Sequence, residues 1–103
     1  MAVKYLIIRF SSIGDIVLTT PIIRCLKTQV EDAEVHYLTK PAFAPLLSNN
    51  PYIDKLITLK ESLSNTIKEV REEQYHYIID LHHNLRTYII KNKTGILTFS
   101  FPK

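Results

Sequence analysis

The sequence predicts an α/β fold, a doubly wound parallel sheet of about five strands. Three observations carry that expectation. Short apolar, β-branched runs alternate with helix-like segments along the chain. The first run, Tyr5–Phe10, breaks at the small, hydroxyl-rich turn Ser11–Asp15 and restarts as an apolar helix. The 103 residues carry 46% hydrophobic and 22% charged side chains, the balance of a soluble globular domain.

Strand-like runs are Tyr5–Phe10, Glu34–Thr39, Lys55–Leu59, His76–Leu81 and Ile96–Phe101. Helix-like segments fall between them at Asp15–Gln29, near Ala42–Leu47, at Ser62–Glu73 and at Leu85–Lys91. In the first helix, Ile16, Thr19, Ile23, Leu26 and Val30 form one stripe at helical spacing. Leu18, Ile22 and Cys25 form a second stripe, so burial on both sides is expected, with Cys25 as core filler. Pro21 lacks an N–H and crowds the carbonyl of Val17. Either the helix kinks there, or Thr20 caps a fresh helix with Pro21 at its first position. Ser48-Asn49-Asn50-Pro51 is a turn signal, and Ser62 or Ser64 caps the third helical segment. Tyr75, Tyr77 and Tyr88 read as packing residues.

Several function classes are disfavoured on composition. The net charge of +3 is spread among acids with no long cationic block, which argues against nucleic acid as a partner. No apolar run approaches the ~20 residues of a membrane span. Cys25 is the single cysteine, so no intrachain disulfide can form.

With strand order third, second, first, fourth, fifth, the switch point lies between the first and fourth strands, where open α/β sheets place ligands. The loops Ser11–Asp15 and Leu81–Arg86 then line one crevice. Phosphate cradling is disfavoured, since Gly14 and Gly95 are the only glycines and Asp15 would repel a phosphate. Asp15 has two readings: an acid favouring the macrodipole of a helix start, or a general base facing the crevice. A helix N-terminus keeps such a base ionised and weak, which suffices where proton transfer is late. His82 and His83 are adjacent, so extended backbone aims them at opposite faces, and no acid or Cys stands at ligand spacing. Hydrogen bonding is the stronger reading for them, metal binding the weaker. Arg9 either salt-bridges locally or reaches the crevice.

The run Leu6-Ile-Ile-Arg-Phe-Ser-Ser-Ile-Gly-Asp-Ile-Val-Leu-Thr-Thr-Pro-Ile-Ile-Arg24 closely resembles the amino-terminal signature of bacterial ADP-heptose:lipopolysaccharide heptosyltransferases. Val35–Leu47, Asn50–Ile57 and Tyr75–Arg86 resemble later segments of that family in the same order, the last standing where members carry "D-L-Q-G-N-x-[KR]". The resemblance implies a Rossmann-like domain, the amino-terminal half of a two-domain glycosyltransferase-B architecture. Residues 1–103 would then be the acceptor-binding domain, with the carboxyl-terminal donor-binding domain absent and this piece alone inactive. It implies an inverting transfer of heptose, or a related sugar, from a nucleotide-sugar such as ADP-heptose to lipopolysaccharide core, with no metal and no cofactor. Asp15 matches the catalytic base, and Ser11, Ser12 and Gly14 shape the turn that aims it. His82, His83, Asn84 and Arg86 take acceptor-binding or loop-shaping places, although His82-His83 replace the Gln-Gly of many members. A cytoplasmic location follows, with peripheral contact at the inner face of the inner membrane.

Readings of another class are a stand-alone flavodoxin-like or receiver-like binding module, or a noncatalytic truncated homologue. A receiver needs an acid cluster at the end of the first strand, where Phe10-Ser11-Ser12 stands. In a flavodoxin, Asp15 would face the flavin phosphate.

Overall fold

The computed structural model describes residues 3–10, 12–82 and 85–100, with the side chains of 85, 86 and 100 outside the description. The five predicted strands form as β1 (Val3–Ile8), β2 (Ala33–Thr39), β3 (Lys55–Thr58), β4 (Tyr77–Asp80) and β5 (Leu97–Ser100). All neighbours pair in parallel, in the order β3-β2-β1-β4-β5. This is the doubly wound arrangement expected, with the switch point between β1 and β4. The predicted strand end at Phe101 lies outside the described residues.

Alternation along β1 divides the core in two. Leu6 and Ile8 meet Leu38, Ile57, Val70, Ile78 and Ile90, beneath α3 (Leu63–Glu73) and α4 (Leu85–Thr94). Ile7 meets Val35, Tyr37, Ile79, Ile16 and Ile23 on the other face, beneath α1 (Ile13–Leu18) and α2 (Thr20–Gln29). A 3₁₀ helix, Pro41–Leu46, replaces the short helix expected near Ala42–Leu47. The prolines at 41 and 45 account for this, since Pro45 cannot donate the bond a longer α-helix would need.

The first helix breaks at Thr19. Thr19 Oγ1 donates to the Ile16 carbonyl at 2.6 Å and pairs with the Tyr37 hydroxyl at 2.9 Å, so the break is latched to β2. α2 restarts at Thr20 with Pro21 in its first turn, where a missing N–H costs nothing. The fresh-helix alternative is therefore the one realised, with Thr19 rather than Thr20 at the cap.

Two expectations are corrected. The stripe Leu18, Ile22 and Cys25 is exposed, Leu18 by 73%, and Cys25 is not core filler. Only Ile16, Thr19 and Ile23 are buried, because a single helical layer on this face has one side on the sheet and the other in water. Tyr75 is buried and Tyr77 stacks on Tyr5 at 5.3 Å, but Tyr88 is 60% exposed on the outer face of α4. Beyond Tyr77, Phe99 and Leu97 are exposed on β5, and α3 and α4 both lie on the opposite face.

The amino ends of the strands are tied by charge. Glu73, at the end of α3, bonds Lys4 of β1 at 3.0 Å and also Lys55 of β3. Lys55, and next Lys4, hold the Glu73 carboxyl down to about 2 from its usual 4.5. A depressed carboxylate adds stability above its unfolded pKa and loses it as pH falls toward the folded one. Glu73→Gln should therefore cost about 1–2 kcal/mol at pH 7, after allowance for solvent screening, and almost nothing at pH 2. Urea midpoints at the two pH values check this.

Candidate active site at the β1–β4 switch

Beyond Ile8 the backbone of β1 stays tied to both neighbours. Arg9 N donates to the Leu38 carbonyl at 3.2 Å, and Leu81 N donates to the Ile8 carbonyl at 3.0 Å. Thr39 Oγ1 reaches the Phe10 carbonyl at 3.3 Å. Phe10 is fully buried, and its N–H donates to His82 Nδ1 at 3.3 Å while the two rings lie 4.9 Å apart. The exits of β1 and β4 are thus one locked unit, and α1 departs from it.

Ser12 caps α1 in extended backbone, and Asp15 follows three residues later, the spacing of a capping box. Ser12 Oγ donates to Asp15 Oδ2 at 3.0 Å instead of accepting from the helix. Arg9 Nη2 meets the same oxygen at 2.7 Å, and Arg9 Nη1 donates to the Leu81 carbonyl at 2.6 Å. The Asp15 side chain is 49% exposed, whereas that of Arg9 is 15% exposed. The Ser12 hydroxyl bond first, and the Arg9 charge next, lower the Asp15 pKa below its usual 3.8. Asp15 is therefore a helix-start acid and also an accessible, ionised carboxylate beside the switch point. Its position is that of the helix-start reading, and its exposure leaves it open to the crevice.

Of the other predicted site residues, His82 joins this cluster through hydrogen bonding. Among the described residues no three of His, Cys, Asp and Glu come together as a metal site. Ser11, His83 and Asn84, and the side chain of Arg86, lie outside the described residues. The turn-shaping role expected of Gly14 is corrected. Gly14 lies inside α1, and a Cβ added there would meet nothing within 4 Å, so the turn does not require its freedom. It leaves open surface next to Asp15. A groove of about 730 Å³ between α2 and the 46–52 turn, lined by Arg24, Asn49 and Tyr52 among others, contains none of the predicted site residues.

Sequence reading left Asp80 and Lys91 out of the site. Asp80, the last residue of β4, is fully buried; its Oδ1 accepts from the His82 N–H at 2.9 Å and its Oδ2 lies 3.1 Å from Lys91 Nζ of α4. The signal available was a charged residue closing the apolar run Tyr77–Ile79, with a lysine two turns into the next helix.

Lipopolysaccharide heptosyltransferase 1 of Campylobacter coli is 29% identical over 97% of this chain, and lipopolysaccharide heptosyltransferase 3 of Escherichia coli is 36% identical over 66% of it. The chain is a relative of the lipopolysaccharide heptosyltransferases. It spans 31% and 23% of the lengths of those two proteins. Among solved structures, the E. coli ADP-heptose lps heptosyltransferase II matches 94% of this chain and 30% of its own, with a TM-score of 0.83. At 21% identity that match speaks for the fold alone. No family model matches the chain. No helix among the described residues is long and apolar enough to cross a membrane.

Within this heptosyltransferase relative, the Asp80–Lys91 pair holds the β4 exit in place. Lys91→Met removes an ammonium 3.1 Å from the buried Asp80 carboxylate and should destabilise the protein by about 2–3 kcal/mol. Adding Asp80→Asn should recover part of that loss, measured by urea denaturation of the single and double variants.

Proposed function

We propose that these residues form the amino-terminal, acceptor-binding half of an inverting glycosyltransferase. The enzyme moves heptose, or a closely related sugar, from a nucleotide-sugar to lipopolysaccharide core. The reading rests on one observation: an exposed carboxylate, Asp15, held by Arg9 and Ser12 where the β1 and β4 loops meet. Similarity to two lipopolysaccharide heptosyltransferases supports the substrate class.

In this mechanism an acceptor sugar hydroxyl lies against Asp15. Its oxygen attacks the anomeric carbon of the donor from the side opposite the nucleotide. The new C–O bond forms as the bond to the diphosphate breaks, so the electron pair leaves with ADP and the configuration inverts. The hydroxyl proton passes to Asp15. A carboxylate with a lowered pKa is a weak base toward a free alcohol, so transfer comes late, once bonding to carbon has made the oxygen acidic. Low pKa also keeps the base ionised at neutral pH.

In this reading the donor is held mainly by a second domain and these 103 residues alone do not catalyse transfer, in keeping with their spanning 31% and 23% of the two relatives' lengths. The enzyme works in the cytoplasm, with peripheral contact at the inner face of the inner membrane where its acceptor is anchored. In the full-length polypeptide, Asp15→Asn should lower kcat by about 10²–10⁴-fold while donor affinity stays within a factor of ~3. Steady-state kinetics with ADP-heptose, alongside donor binding by calorimetry, checks both. Wild-type turnover in that variant would leave a noncatalytic homologue or another base as the explanation.

A further inference from the structure

We propose that Arg9 is a positioning residue, one guanidinium clamping Asp15 to the β4–α4 connection so that the carboxylate and the facing wall of the crevice are set together. The inference rests on the reading of Asp15 as base.

Arg9 leaves the central strand on the α1 face and is largely buried. A cation so placed is costly unless its donors are used. Two are used at short range, one on the Leu81 carbonyl at 2.6 Å and one on Asp15 Oδ2 at 2.7 Å. Its Nε is buried with no hydrogen-bond partner among the described residues, so the guanidinium is held wholly from its Nη end. The Leu81 contact spans 72 residues of sequence, so Arg9 ties the turn after β1 to the exit of β4, one on each side of the switch point. A lysine would have to serve both acceptors from one ammonium nitrogen, without the planar fork that fixes two donor directions.

The clamp also selects which oxygen works. Arg9 and Ser12 both engage Oδ2, which leaves Oδ1 with no side-chain partner among the described residues. Oδ1 is therefore the oxygen that receives the acceptor proton, and Oδ2 is the handle by which the carboxylate is held. A rotation of the Asp15 side chain would exchange the two, and Arg9 opposes it from one side while Ser12 opposes it from the other. Misplacement of a reacting group by about 1 Å is enough to cost on the order of 10²-fold in rate.

The test uses Arg9→Met and Arg9→Lys in the full-length polypeptide, with kcat, both KM values, the pH profile of kcat/KM and the ¹³C carboxyl titration of Asp15. Arg9→Met should lower kcat by about 10–100-fold with donor KM changed less than ~2-fold. Its acid limb and the Asp15 titration should both move to higher pH, since a neighbouring positive charge is lost. Arg9→Lys should hold the titration near its wild-type position yet recover only part of kcat. A folded Arg9→Met protein with wild-type kcat and an unmoved titration overturns the clamp. Should Arg9→Met fail to fold, full kcat in Arg9→Lys overturns it equally. Full turnover in Asp15→Asn removes the base, whereas an upward shift of the Asp15 titration in Arg9→Met supports the clamp even then.

Discussion

Everything in this molecule is arranged around the position of β1 at the centre of the sheet. With β2 on one side and β4 on the other, and with right-handed crossovers, the chain must leave β1 toward one face and β4 toward the opposite face. The two connections separate, and the gap between them is where side chains from distant segments can converge on a ligand. That divergence is what places Asp15 beside the gap. The same residue at the end of β2 would face only the 3₁₀ helix and its prolines.

The gap is polar, yet it stands on a fully apolar floor. Ile7, Ile8 and Phe10 are buried to the last atom, and Tyr37 brings its hydroxyl up from the interior to meet Thr19. Burial raises the Tyr37 pKa to about 12, so this phenol stays neutral and serves as a hydrogen-bonding strut. It fixes the end of α1 from below while Arg9 fixes its beginning from above. A six-residue helix has too few internal hydrogen bonds to hold its own orientation, and these two external attachments supply what it lacks.

The sheet order, and with it the switch point between β1 and β4, was legible because strand and helix periodicities differ, and alternation leaves few permitted topologies. The break at Thr19 was legible only as one of two outcomes. Pro21 signals that something must yield, but the deciding contact is with Tyr37, far away in sequence. Leu18, Ile22 and Cys25 misled for a simpler reason: apolar character records that a side chain can be buried, and one helical layer offers it nowhere to go. The Arg9–Asp15 pair fell between these cases. Both residues stood out, yet six positions spanning a turn set no distance, and the carbonyl of Leu81 that completes the arrangement carries no sequence signal at all. Asp80 and Lys91 were missed because a buried ion pair between a strand end and a helix reads, residue by residue, like ordinary surface charge.

The row Tyr5, Tyr77 and Phe99, with Leu97 beside it, leaves rings on an open sheet face next to an edge strand. Water tolerates that poorly, at roughly 25 cal/mol for each Å² of apolar area. A strand with one side of its backbone unpaired and aromatic groups on one face is also a template for adding another strand. β5 is therefore the flank of the described sheet best suited to taking up a further strand or a covering surface.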